Sequence, residues 1–205
     1  TLYDKNSLQE WDWEDVNLLK ESQGVRPHLK TDSIQYNVIQ TLVRQDYDIV
    51  YDDDNAGEIA DVITLKLIEN EIHVELYHLK FAHEGKITSQ IANFYEVCGQ
   101  AQKSANWKYK EAEDMLNYLL RREIKKSSNG DECSRIYKGT HEKLIELMKL
   151  AKRKLPVKYS VFIVQPGVSK DSVSDEILSL LGVTESFLKE RTGIELKVIV
   201  NKKSL

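Results

Sequence analysis

Two β-prone runs joined by a very short polar connection fix the middle of the chain. Ile59 to Ile68 and Ile72 to Phe81 are separated only by Glu69-Asn70-Glu71. So short a link permits an antiparallel hairpin and nothing else, because parallel pairing needs a crossover of a dozen or more residues. Tyr47 to Tyr51 is a third such run. It leads into Asp52-Asp53-Asp54-Asn55-Ala56-Gly57, a turn in which Asn and Gly tolerate positive φ. The three runs read as a meander.

Around the meander the apolar spacing lengthens from two to nearly four. Ile34, Val38 and Leu42 recur behind Thr31 and Asp32, either of which predicts a helix N-cap. Ser89 to Trp107 predicts a helix with Ile91, Phe94, Val97, Cys98, Ala101 and Ala105 on one face. Residues 108–155 read as helical and basic, a hairpin around Met115–Ile124 and Leu144–Leu155. It is interrupted at Ser127-Ser128-Asn129-Gly130-Asp131 and stopped by Pro156. Tyr159 to Val164 and Leu196 to Val200 predict two more strands, with Gln165-Pro166-Gly167 turning the chain after the first. Residues 173–191 predict one helix or two, with Gly182 as the break and Gly193 as the stop. Residues 1–30 read as an arm with a short amphipathic piece around Trp11, Trp13, Val16, Leu18 and Leu19, ended by Arg26-Pro27. The expectation is an α/β domain over residues 31–205, its mixed sheet flanked by helices, with a helical insertion at about 108–155.

With 205 residues, 41% hydrophobic and 30% charged, the chain can bury a sizeable core, which excludes global disorder. No apolar run approaches the roughly 20 residues of a bilayer span, so no membrane partner is expected. The start, TLYDKNSLQEWDW, is acidic and aromatic, unlike a signal or transit peptide, and lacks Met, so the chain is expected to be part of a longer one. Cys98 and Cys133 are too few for a disulfide framework or a zinc site, and a reduced, cytoplasmic setting is the expectation. Charge is uneven. Residues 1–101 hold 8 Lys/Arg against 19 Asp/Glu, and residues 102–158 hold 15 against 8. An acidic front beside a basic middle suits a metal centre flanked by a phosphate-binding surface, and equally a set of solvated helices.

Seven acids lie between Asp46 and Asp61: Asp46, Asp48, Asp52, Asp53, Asp54, Glu58 and Asp61. Six are consistent with a solubilising turn. Asp61 interrupts the apolar strand Ile59-Ala60-Asp61-Val62-Ile63 and needs a partner, either a divalent cation or a neighbouring donor. On the next run, alternation places Val74, Leu76, His78 and Lys80 on one face and Glu75 on the other. A lysine there can neutralise a pentavalent phosphate, and a neutral histidine can ligate a metal or accept a proton, or simply hydrogen-bond in the core. The hairpin brings Asp61, His78 and Lys80 together. Glu96, Gln100, Lys103 and Trp107 form a stripe on the following helix, which also has the look of a solvated face.

An acid on one strand followed by x-Lys on the next resembles the PD-(D/E)xK nuclease superfamily, whose restriction-endonuclease-like core is a helix, a three-strand meander and a helix. Gly57-Glu58-Ile59-Ala60-Asp61, Leu76-Tyr77-His78-Leu79-Lys80, Tyr95 to Ser104 and Val164-Gln165-Pro166-Gly167-Val168-Ser169 look like the C-terminal nuclease-like region of bacterial helicase-type phage-defence and restriction proteins. The resemblance spans most of 31–205. It implies metal-dependent phosphodiester hydrolysis in DNA ahead of RNA, with Mg²⁺ or Mn²⁺ as cofactor and a helicase domain as partner. Asp61 matches the metal-binding acid and Lys80 the motif lysine. His78 stands at the (D/E) position, a departure that bears on metal choice, and Glu58 is placed to supply the missing carboxylate. Gln100 and Lys103 match helix positions that reach the phosphate, and Gln35 a position that sometimes carries an acid. The runs Arg121 to Lys126 and Lys149 to Lys154 are candidate backbone contacts. Two rival readings stand beside this one: a degenerate nucleic-acid-binding module of the same fold, and an acidic protein-interaction domain.

Overall fold

The computed structural model describes residues 2–128 and 135–204, with residues 126–128 described by their backbone. Among the described residues, seven strands form one mixed sheet: β1 (Gln9–Trp11), β2 (Ile49–Asp52), β3 (Val62–Ile68), β4 (Glu71–Leu79), β5 (Ile136–Lys138), β6 (Val157–Ser169) and β7 (Glu195–Asn201). Their spatial order is β1-β7-β6-β4-β3-β2-β5. The meander forms: β2, β3 and β4 pair antiparallel, and β3 turns into β4 at Glu69-Asn70. From β4 the sheet continues in parallel through β6 and β7 to β1.

Alternation along the strands builds two cores. Ile72, Val74 and Leu76 of β4 face one core, and Tyr77 and Leu79 face the other. The first core is covered by α2 (Ala92–Lys103), α4 (Ala112–Ser128), α5 (His141–Lys152) and α6 (Asp175–Thr192), with α3 (Ala105–Lys108) linking α2 to α4. The second is covered by α1 (Ile34–Val43) together with Trp13 and Leu18 from the N-terminal segment. That segment belongs to the same folded unit, since β1 pairs with β7 and the Trp13 indole donates to the Val200 carbonyl. Among the described residues, no helix is long and apolar enough to cross a membrane.

Several local expectations need correction. The N-cap of α1 is Ser33, whose Oγ accepts from the Tyr36 amide at 3.2 Å, rather than Thr31 or Asp32. The Ile59–Ile68 run is strand only from Val62. Gln165-Pro166-Gly167 does not turn the chain: β6 runs through it to Ser169, and β4 pairs only as far as Val164, so no neighbour on that side needs the missing proline N–H. Gly182 does not break α6, which is continuous to Thr192 and stops at Gly193 with φ of 68°. The region 108–155 is a packed pair of helices, α4 and α5, but it also donates β5 to the sheet beside β2. Its expected interruption reaches residues 129–131, outside the described residues, as does Cys133. Cys98 is a buried free thiol that burial pushes up to about 11.

Candidate metal centre

The acidic run does not behave as one turn. Asp46 pairs with Lys66 and Asp48 accepts from the Leu67 amide, both along the outer part of β3. Asp52 and Asp53 are buried. Asp54, Glu58 and Asp61 converge, each offering a carboxylate oxygen within 4.8 Å of the others. Glu58 reaches Asp61 because residues 53–61 form a loop, not a strand. Asn55 and Gly57 have positive φ there, and a Cβ on Gly57 would approach the Tyr118 hydroxyl to 2.7 Å. One Asp61 oxygen accepts from the Leu79 amide at 2.8 Å, which fixes the carboxylate beside the C-terminal end of β4. In open α/β sheets that edge is where ligands usually bind.

Electrostatics in the group are repulsive. Burial, then the charges of Glu58, Glu21 and Asp54, holds the Asp61 carboxyl well above its ordinary range, against the Leu79 amide. Burial and Asp54 likewise raise Glu58. Glu21, from the N-terminal segment, accepts from the Phe81 amide at 3.0 Å and lies 3.3 Å from Lys80 Nζ. Glu96 of α2 lies 2.9 Å from the same ammonium. Burial disfavours the Lys80 charge, but Glu96 and Glu21 outweigh it and raise the pKa, so Lys80 is an ammonium at neutral pH. Three oxygen donors amid surplus negative charge suit a hard divalent cation such as Mg²⁺ or Mn²⁺.

The loop is braced from two sides. From α4, Arg122 Nε lies 2.6 Å from Asp53 Oδ1, and its terminal nitrogens donate to the carbonyls of Asp53, Asp54 and Ala56. Arg135 donates to the Asp52 and Asp54 carbonyls, and Tyr118 to that of Gly57. Asp53 in turn accepts from the Ile59 amide at 2.7 Å, while burial pushes its carboxyl up to about 7. From the other side, Gln23 and Gln35 both donate to Asp52, Gln35 also reaches the Asp61 carbonyl, and Ser22 donates to Asp54.

Next to the acids lies a cleft of about 350 Å³ lined by Glu58, Ile59, His78 and, from α2, α3 and their continuation, Gln100, Lys103, Asn106, Trp107 and Lys110. Of the stripe Glu96, Gln100, Lys103 and Trp107, the last three line this cleft, and Glu96 pairs with Lys80. His78 is 4% exposed, and its Nε2 sits 2.6 Å from Ser104 Oγ at the junction of α2 and α3. Burial lowers its pKa to about 4, so the imidazole is neutral. His78 stands outside the group of three acids.

The other candidates are placed elsewhere. Gln35 is a buried brace rather than a site group. Glu75, on the opposite face from His78, binds Tyr47, Thr64 and Tyr77. Within Arg121 to Lys126, Arg122 is turned in to the acid loop and Glu123 is buried, accepting from the Arg135 amide. Lys152 pairs with Glu113, roughly 13 Å along α4 from Arg122, and Lys154 with Glu111, just before α4. Two site residues escape sequence reasoning: Asp54, indistinguishable from its turn neighbours, and Glu21, which only tertiary contact brings to Lys80. Comparisons with protein-family models, with curated proteins and with solved structures return no match for this chain.

Proposed function

We propose that the chain is a metal-dependent nuclease domain with a restriction-endonuclease-like core, hydrolysing phosphodiester bonds in DNA as part of a helicase-linked defence or restriction protein. The observation that carries the reading is the meeting of Asp54, Glu58 and Asp61 within 4.8 Å beside the end of β4, which continues into the ammonium Lys80. Those three carboxylates would hold the ion. A bound divalent ion lowers the pKa of coordinated water and polarises the phosphate.

The remaining roles belong to the chain. Lys80 keeps its proton, so it serves as a donor that offsets charge on the phosphate and not as the base. Glu21 and Glu96 hold its ammonium in place until a phosphate oxygen competes for it. Arg122 and Arg135 fix the carbonyls of the acid loop. The helicase association and the preference for DNA rest on the sequence resemblance.

The test is cleavage of plasmid and single-stranded DNA with Mg²⁺, Mn²⁺ or EDTA. We expect metal-dependent cutting by the wild type and a loss of about a hundredfold or more in Asp61→Ala and Lys80→Ala, the size typical of removing one charge-stabilising group. Equal cutting by both variants would refute the assignment. The neutral, buried His78 at the motif's second acidic position favours a second reading, a binding module without catalysis. It predicts DNA binding that persists in EDTA with no cutting by any variant.

A further inference from the structure

We propose that the cleft beside the acid group receives an unpaired nucleotide of a single-stranded nucleic acid, its base laid against Trp107. The proposal rests on the nuclease reading for what lies next door and adds the class of strand. At about 350 Å³ the cleft sits at the small end of ligand sites. Its chemistry is mixed in the way a nucleotide is mixed. Trp107 is half-buried, supported by Tyr118 at 6.4 Å between ring centroids, and Lys110 Nζ lies 4.3 Å from its ring centroid. An indole face that accepts an exposed ammonium from the cleft also accepts a planar base, and stacking is the stronger contact. Lys110, released from the ring, and Lys103 then meet the phosphates.

Gln100 gives an independent observation. Its Oε1 is buried and has no hydrogen-bond partner, although the side chain lines this cleft. A buried acceptor left unpaired is costly, and the amide gains a partner by turning outward to meet an N–H on a base edge in the cleft. Asn106 adds an exposed amide with donor and acceptor. In a duplex the base edges are paired and the faces stacked, so only an unpaired base offers both surfaces at once. Glu58 belongs to both the cleft and the acid group, so a nucleotide seated here presents its own phosphodiester to the centre.

The test is fluorescence anisotropy in EDTA with labelled oligothymidylate, oligouridylate and a blunt duplex of equal length. The wild type is expected to bind one or both single strands about tenfold or more tightly than the duplex. Trp107→Ala should bring that ratio near one, and Trp107→Phe should restore most of it. Lys110→Glu, at an exposed position, tests the cleft without touching the core and should weaken single-strand binding about tenfold. Equal wild-type affinity for duplex and single strands, or a preference that Trp107→Ala and Lys110→Glu both leave intact, would overturn the proposal. Cleavage with Mn²⁺ is scored separately. Strand preference without cutting keeps this inference and rejects the nuclease reading, and cutting without strand preference does the reverse.

Discussion

His78 shows how burial decides what a residue can do. It is sealed against Ser104, and burial lowers its pKa from 6.5 to about 4. A base whose pKa falls on folding supports the folded state above its unfolded pKa. As pH drops through 6.5 toward 4, the unfolded chain takes up a proton that the native imidazole refuses, and stability is lost. By pH 5 the loss from this one group is about 2 kcal/mol. The raised carboxyls of Asp53, Glu58 and Asp61 act in the opposite sense, their contribution fading as pH rises. The useful quantity is therefore a difference. Urea denaturation at pH 7 and pH 5 should show the stability gap between wild type and His78→Gln shrinking by about 2 kcal/mol at the lower pH. Parallel pH profiles would mean that His78 is not a buried neutral base.

At the scale of elements, the helical region between α2 and β6 works as a brace. Arg122 on α4 and Arg135 beside β5 hold the carbonyls of residues 52–56, and that grip shapes the loop carrying Asp54 and Glu58. Arg122→Ala would leave Asp53 fully buried without its guanidinium; its carboxyl, already pushed up to about 7, would take up a proton, and the cost in urea denaturation at pH 7 is about 1–3 kcal/mol. The double variant Asp53→Asn with Arg122→Leu should cost less than Arg122→Ala alone, because no buried carboxyl is left without its partner. If the single variant is as stable as wild type, the brace is incidental. This brace also marks how far the sequence can be read. The hairpin was legible because two β-prone runs joined by the short polar link Glu69-Asn70-Glu71 are a local signal, although the turn itself is only Glu69-Asn70. Arg122 reads as one more member of a basic surface run, since its partner lies on a loop about 69 residues away. The same holds for Glu21 and for β5, whose roles arise only from long-range pairing. Gly182 and Pro166 misled for the opposite reason: local propensity predicts a break, and tertiary packing overrides it.

For the molecule as a whole, part of the acidic front gathers beside the end of β4. Asp54, Glu58 and Asp61 meet in the loop before β3, Glu21 and Glu96 hold Lys80, which follows the Leu79 whose amide binds Asp61, and Lys103 and Lys110 line the cleft that Glu58 shares. That Asp61 lies beside the end of β4 was legible because the short hairpin link sets the two runs side by side, and there it accepts from the Leu79 amide. Asp54 was not, since backbone geometry alone distinguishes it from Asp53. A cluster with this much mutual repulsion should take up a cation. The most direct test is Mn²⁺ titration followed by electron paramagnetic resonance, on wild type and on Asp61→Asn. We expect saturable binding in the wild type, weakened about tenfold or more in the variant. Absence of saturable binding, or equal binding by both proteins, would contradict a metal centre at this loop.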